Sequence, residues 1–361
     1  MRFPKKATAL LMALMLVVAA CGTDDATDEP AADDTEAADD AAADDAAEDE
    51  AAEDEAAEDE AEGDDAAPAG DHEPGLVYII TVDPSNPYWA TQASVAEEEL
   101  QALGYETTTN AHLNDPDSQS QFIDAAISAG AQALILDPAG AEESVGAVQR
   151  ALDAGIPSFL VNAELDQQGI AMSQIVSNNA QGATLGAEAF AEAMNYEGTY
   201  VELFGNPTDN NAGVRSDAYT AVLSQYPDME LLQQETANWD RVQGKEQMDR
   251  LIQAHPNMDG VISGNDEMAL GAIEALREAG MLDDVIVLGF DGNDDAAAAV
   301  EAGEMIVTVL QPIVRATQLA VEQMHNYLMT GETGVDTEKQ AIDCVLITQE
   351  NAADLSAFRL E

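Results

Sequence analysis

Basic residues are scarce in this chain. Twelve Lys plus Arg stand against 71 Asp plus Glu over 361 residues, a formal charge of −59 at pH 7. Such a surface repels phosphate backbones and anionic headgroups, so nucleic acid is excluded as a partner and so is membrane binding through a basic patch. Cysteine is nearly absent too. Cys21 and Cys344 cannot supply a disulfide framework, so burial must hold the fold. His72, His112, His255 and His325 are scattered without metal-ligand spacing, and no cofactor is implied. The chain has no Gly-x4-Gly-Lys-Ser/Thr phosphate loop, no Gly-x-Ser-x-Gly elbow, and no Gly-x-Gly-x-x-Gly after its first strand pattern. The run Asp291-Gly-Asn293-Asp294-Asp295 is too short for a twelve-residue calcium loop and reads as a helix cap. Cys344 sits in an apolar strand pattern and reads as buried filler. An enzyme is not indicated.

A long apolar run occurs near the start. Arg2, Lys5 and Lys6 precede a 14-residue run, Ala7 to Ala20, that is apolar but for Thr8, and the run closes on Val18-Ala19-Ala20-Cys21-Gly22. That is a secretory signal by charge, length and ending, too short for a permanent span. Small residues directly before a cysteine resemble the bacterial lipoprotein signal. That resemblance implies a signal over residues 1–21, lipidation of Cys21, and a protein tethered outside the cytoplasm to the membrane surface. Residues 22–73 are nearly all Ala, Asp, Glu and Thr, with Ala-Ala-Glu-Asp-Glu repeated at 46–50, 51–55 and 56–60, and 23 acidic residues with no basic one between Asp24 and Asp65. Nothing there can be buried to offset the entropy of ordering, so a disordered acidic linker is expected.

The remaining 288 residues, Pro74 to Glu361, alternate strand and helix patterns. Apolar runs lie at Leu76–Val82, Ala133–Asp137, Ser158–Val161, Tyr200–Phe204, Gly260–Ser263, Val285–Phe290 and Met305–Leu310. Continuous runs of this kind fit parallel strands covered on both faces. Amphipathic stretches between them often end on glycine, as at Gly104, Gly130, Gly155, Gly280 and Gly303, which marks helix C-termini. The pattern predicts an α/β fold with two doubly wound parallel-sheet lobes.

Ligands of such sheets bind beyond the carboxyl ends of the strands. Those ends carry Asp83-Pro-Ser-Asn-Pro-Tyr-Trp89, Asn162-Ala163-Glu164, Gly205-Asn-Pro-Thr-Asp-Asn-Asn211 with Arg215 beyond, Trp239, Gly264-Asn265, Phe290-Asp291 and Gln311. Amide, carboxylate, guanidinium and aromatic groups thus recur where a guest would sit.

The chain from about Gly75 to Gln349 resembles type I periplasmic sugar-binding proteins, the ribose-binding group above all. The likeness rests on Asn86-Pro87-Tyr88-Trp89, Trp239-Asp-Arg-Val-Gln-Gly244, Gly264-Asn-Asp-Glu-Met-Ala-Leu-Gly-Ala272 and Val287-Leu-Gly-Phe-Asp-Gly292. Repressors that share the fold are set aside by the signal peptide and the lack of a basic N-terminal helix-turn-helix. The resemblance implies two lobes joined by three crossings, one at 75–177 plus 312–343 and the other at 178–311 plus 344–361. By it, Asn86, Arg215, Asn265, Asp291 and Gln311 hydrogen-bond sugar hydroxyls, while Tyr88, Trp89, Trp239 and Phe290 sandwich the sugar's C–H faces. One position departs. The ribose-binding group has Asp-Arg after the fourth strand, and here Asn162-Ala163 stands there with Glu164 beside it. A cation is lost and space is gained, which points away from ribose to another pentose, a hexose or a sugar alcohol. Asn162 and Glu164 join the candidate ligand set on that ground. The resulting expectation is a monomeric solute-binding lipoprotein that closes on a neutral monosaccharide or polyol and delivers it to ABC permease subunits. A sugar or autoinducer sensor of the same fold, working with a membrane receptor kinase, is the alternative.

Overall fold

Short, wholly apolar strands and Asn- or Asp-capped helices set the architecture. The structure, a computed structural model, describes residues 73–355 and 357–359. The signal over 1–21, Cys21 and all but the end of the acidic segment lie outside the described residues. In chain order the elements are β1 (Leu76–Thr81), α1 (Pro87–Ala102), β2 (Glu106–Ala111), α2 (Pro116–Ala129), β3 (Ala133–Leu136), α3 (Val145–Asp153), β4 (Ser158–Val161), β5 (Ser173–Ser177), α4 (Asn179–Ala193), β6 (Gly198–Phe204) and α5 (Asn210–Leu223). There follow β7 (Met229–Thr236), α6 (Arg241–Ala254), β8 (Gly260–Ser263), α7 (Asp266–Ala279), β9 (Ile286–Asp291), α8 (Asp294–Ala302), β10 (Val307–Leu310), α9 (Ile313–Thr330), β11 (Lys339–Ile342) and β12 (Val345–Ile347).

Two six-stranded sheets result, ordered β11-β5-β4-β3-β1-β2 and β12-β10-β9-β8-β6-β7. All pairings are parallel except the antiparallel β10–β12 edge. The chain passes from the first sheet to the second after β5, returns after β10, and crosses again between β11 and β12. These are the three crossings that the resemblance implies. The inner strands β3, β4, β8 and β10 are buried at every position, because helices cover both faces. The outer strand β2, Glu-Thr-Thr-Thr-Asn-Ala, is polar and partly exposed. It has no apolar run to betray it, and neither do β5 or β11.

Helix starts follow local chemistry. Asn86, Asp115, Asn178, Asp209, Asp240, Asn265 and Asn293 each accept a backbone N–H with the side chain and cap α1, α2, α4, α5, α6, α7 and α8. Proline lies at the start of α1 and α2, where its missing N–H costs nothing. Gly130, Gly280, Gly303 and Gly331 end their helices in the left-handed conformation. A parallel strand that feeds a helix puts the cap at the strand's carboxyl end, so several caps gather in one place between the lobes.

Candidate ligand-binding site

That place is a cavity lined by Asn86, Tyr88, Trp89, Asn162, Asp209, Asn211, Arg215, Trp239, Asn265, Asp291 and Gln311. About 250 Å³ there is free of atoms, and only about 20 Å³ of it admits the centre of a water-sized sphere. That core is room for roughly one water. The walls therefore have to part to take in a small solute and can then close against it.

Each wall is built from its own strand ends. Asn86 caps α1 through Oδ1, which accepts the Tyr88 N–H at 2.9 Å, so the aromatic pair Tyr88-Trp89 forms the first helical turn. Asn265 caps α7 by accepting the Met268 N–H at 2.9 Å, and its Nδ2 donates to the Trp239 carbonyl at 3.2 Å. Trp239 follows Asn238, both with positive φ (65° and 52°). This turn lays the indole across Gly205 and Gly264 at the ends of the neighbouring strands β6 and β8. A Cβ at Gly205 would run into the ring, and one at Gly264 would meet Trp239 Cζ3 at 3.0 Å. The glycines that open Gly205-Asn-Pro and Gly264-Asn-Asp are thus the bed of the indole.

Polar groups join across the cavity in a closed circuit. The Tyr88 hydroxyl donates to Asn162 Oδ1 at 3.0 Å, with Gln311 Oε1 at 3.4 Å. Gln311 Nε2 donates to Asp291 Oδ1 at 2.6 Å, and Asp291 Oδ1 lies 3.7 Å from Arg215. The Arg215 guanidinium donates to Asn179 Oδ1 at 2.8 Å and to the Gly264 carbonyl at 2.7 Å. Asn179 Nδ2 donates to Asn211 Oδ1 at 2.9 Å, and Asn211 Nδ2 to the Asn162 carbonyl at 3.1 Å. Arg215 and Asp291 are each 4% exposed. Burial pushes the Asp291 carboxyl well above the usual range, against the pull of Arg215. Asp137, whose Oδ2 accepts from Asn162 Nδ2 at 3.0 Å, is likewise raised, first by burial and then by Asp209 facing it. Burial also raises Asp209. The indole N–H groups of Trp89 and Trp239 make no hydrogen bond. Trp89 leans toward Asp137 and Trp239 toward Asp209, near enough to favour the carboxylates yet outside bonding geometry.

Two candidate residues stand elsewhere. Phe290 is fully buried and lies behind Arg215, whose guanidinium carbon sits 4.0 Å from the ring centroid. It backs the cation rather than facing the cavity, because side chains alternate along β9 and Asp291 takes the open face. Glu164 pairs with Lys339 at 3.5 Å and is not among the lining residues. The turn after Asn162, which has φ of 78°, carries it toward β11. Conversely, four positions were not singled out in the sequence: Asp209, Asn211, Asn179 and Phe358. The first two were visible as part of a polar run after β6. Phe358 had no local signal at all. It packs edge-on to Tyr88 with centroids 5.4 Å apart and supports that ring from behind. Asp266 is a further organiser. Its carboxylate accepts from the Gly292 and Asn293 N–H groups and from Thr308 Oγ1, fixing the loop that presents Asp291, and burial raises its pKa to about 6.

Residues 77–333 match the model of the periplasmic binding protein domain. The chain belongs to this family, as a type I sugar-binding member. A D-apiose import binding protein of Paraburkholderia graminis is 47% identical over 285 residues, spanning 79% of this chain and 91% of that one. The ribose import binding protein of Bacillus subtilis is 28% identical over 68% of this chain and 78% of its own. Among solved structures, an ABC transporter solute-binding protein from Bacillus halodurans with bound myo-inositol superposes with a TM-score of 0.73 at 28% identity, covering 79% of this chain and 98% of that one. These relatives are import and binding proteins, and members of the family work outside the cytoplasm with ABC importers. In this periplasmic binding protein Gln311, at one crossing, lines the cavity, and Asn179, at another, holds Arg215 and Asn211.

Proposed function

We propose that this protein is the lipid-anchored solute receptor of an ABC importer and that its guest is a neutral five-carbon sugar, D-apiose or a close analogue. The observation that carries this reading is the cavity itself. Two indoles and a phenol form apolar walls, and amides, two carboxylates and one guanidinium are set among them. Sugars have C–H faces to lie on such walls and hydroxyls that both donate and accept. Similarity to two D-apiose import binding proteins, each at 47% identity, supports the choice of sugar. Asn162-Ala163 supports it as well, since an uncharged, short pair leaves room for the hydroxymethyl branch of apiose. Asn86, Asn162, Arg215, Asn265, Asp291 and Gln311 take the hydroxyls, and Tyr88, Trp89 and Trp239 the faces. The lobes, 75–177 plus 312–343 and 178–311 plus 344–361, part and close about the crossings, and the guest favours closure by touching both. Lipidated Cys21 and the acidic segment hold the receptor near its permease.

Trp89 and Trp239 lie in opposite lobes, so closure alters tryptophan emission. Titration with D-apiose, D-ribose, D-xylose, xylitol, myo-inositol and D-allose tests the reading. D-Apiose should bind most tightly. A flat emission and calorimetric response to all six would refute it.

A further inference from the structure

Asn211 belongs to neither the cap set nor the family-like ligand set, yet its side chain joins the lobes. It stands in the first turn of α5, on the second sheet's lobe, and is 4% exposed. Its Nδ2 donates at 3.1 Å to the carbonyl of Asn162, the residue that follows β4 on the first sheet's lobe. Its Oδ1 is held by Asn179 Nδ2 at 2.9 Å, and Asn179 is in turn held by Arg215 Nε at 2.8 Å. The carboxamide therefore has one orientation, with its donor toward the opposite lobe. The acceptor is special too. Asn162 has φ of 78°, a left-handed conformation, and its carbonyl accepts the Asn211 amide. The Ala163 side chain next to it is too short to prop the loops apart. Close by, the Ala141 N–H donates to the Thr208 carbonyl at 3.3 Å, a second direct contact between the lobes on the same side of the cavity.

We infer that Asn211 is a specificity-determining spacer: its bridge to Asn162 sets how far the lobes close, and so limits the size of the guest that a closed cavity can hold. The inference rests on the sugar reading above for the identity of the guest, though not for the bridge. A larger ring must push the lobes apart and leave the Asn211 donor and the Asn162 carbonyl unpaired in a buried setting, which binding penalises. A guest small enough to sit within the bridge keeps both.

The test compares wild type, N211A and N211D. Asp at this position has the same size and no donor, and it opposes the Asn162 carbonyl with a charge. The bridge adds to the stability of the closed form, so small-angle scattering without sugar reads it through the share of unliganded molecules that is closed. The radius of gyration should increase in the order wild type, N211A, N211D, whereas a merely structural role would leave it fixed while melting temperature fell. Calorimetry with D-apiose and D-allose reads selectivity. N211A should bind D-apiose roughly three- to tenfold more weakly, in keeping with one lost hydrogen bond, and the preference for D-apiose over D-allose should narrow by a similar factor. If wild type binds neither sugar, the sugar reading fails while the scattering order still decides the bridge. Equal radii in all three proteins would overturn the spacer. So would an unchanged ratio of the two affinities in a variant that binds both.

Discussion

Asp291 offers the sharpest test of the site, because stability and binding should respond to it differently. Its carboxylate accepts from Gln311, lies 3.7 Å from Arg215, and is buried at φ of 140°, a conformation that most side chains avoid. Removing one partner of a buried ion pair costs about 3–5 kcal/mol. Here Arg215 keeps the Gly264 carbonyl and Asn179 Oδ1, and the pair is loose, so D291A should fall near the lower end, about 3 kcal/mol. Binding loses more in proportion. Two charge-assisted hydrogen bonds to a sugar diol, at about 1.5–3 kcal/mol each, amount to roughly a 100- to 10,000-fold weaker Kd. D291N separates the two effects. It keeps an acceptor for Gln311 and removes a charge that burial already disfavours, so stability should change by less than about 1 kcal/mol while affinity drops roughly tenfold. Urea unfolding and tryptophan-emission titration of the three proteins with D-apiose give both numbers. If D291A bound the sugar within about threefold of wild type, as a single lost neutral hydrogen bond would allow, Asp291 could not be the anchor described above.

Stability should fall as pH rises. Burial raises the carboxyls of Asp137, Asp209 and Asp291, and that of Asp266 to about 6. Acids whose folded pKa lies above the unfolded value contribute stability below the unfolded pKa and lose it on passing upward through the folded one. Melting temperature should therefore be higher near about pH 5 than near about pH 7.5, and the difference should survive about 0.5 M salt, which screens surface charge but not these groups. An upward trend with pH would contradict the assignment. At Gly205, G205A should tilt the Trp239 indole, cost about 1–3 kcal/mol by overpacking, and blunt the sugar-induced emission change. G213A, where an added Cβ meets nothing within 4 Å, serves as the control and should bind sugar normally. C21A should move the protein from the membrane fraction to the soluble one, and retention in the membrane would count against lipid anchoring.

Much of this protein was legible from its residues taken in order. Period and apolar runs marked the α/β alternation, because a strand buried on both faces needs continuous Val, Ile and Leu wherever it lies. Glycines after helices and Asn or Asp before them marked the boundaries, since caps act over three or four residues. Strand ends then pointed to Asn86, Trp89, Asn265 and Asp291 without any knowledge of how the sheets were arranged. Edge strands were harder to read. β2 has polar residues on its open side, and only its pairing with β1 makes it a strand.

Tertiary structure alone decided what depends on residues far apart in the chain. Glu164 and Phe290 follow strand ends as regularly as their neighbours do. A turn at Asn162 sends the first to Lys339, and the pleat of β9 puts the second behind Arg215. Asn211 was one polar residue in a run of them until folding set it opposite Asn162, and Phe358 was an ordinary tail residue until folding placed it under Tyr88. Local sequence dictates which groups can reach a strand's end. Which of them meet depends on the register of two sheets and the distance between two lobes, and those are properties of the whole chain.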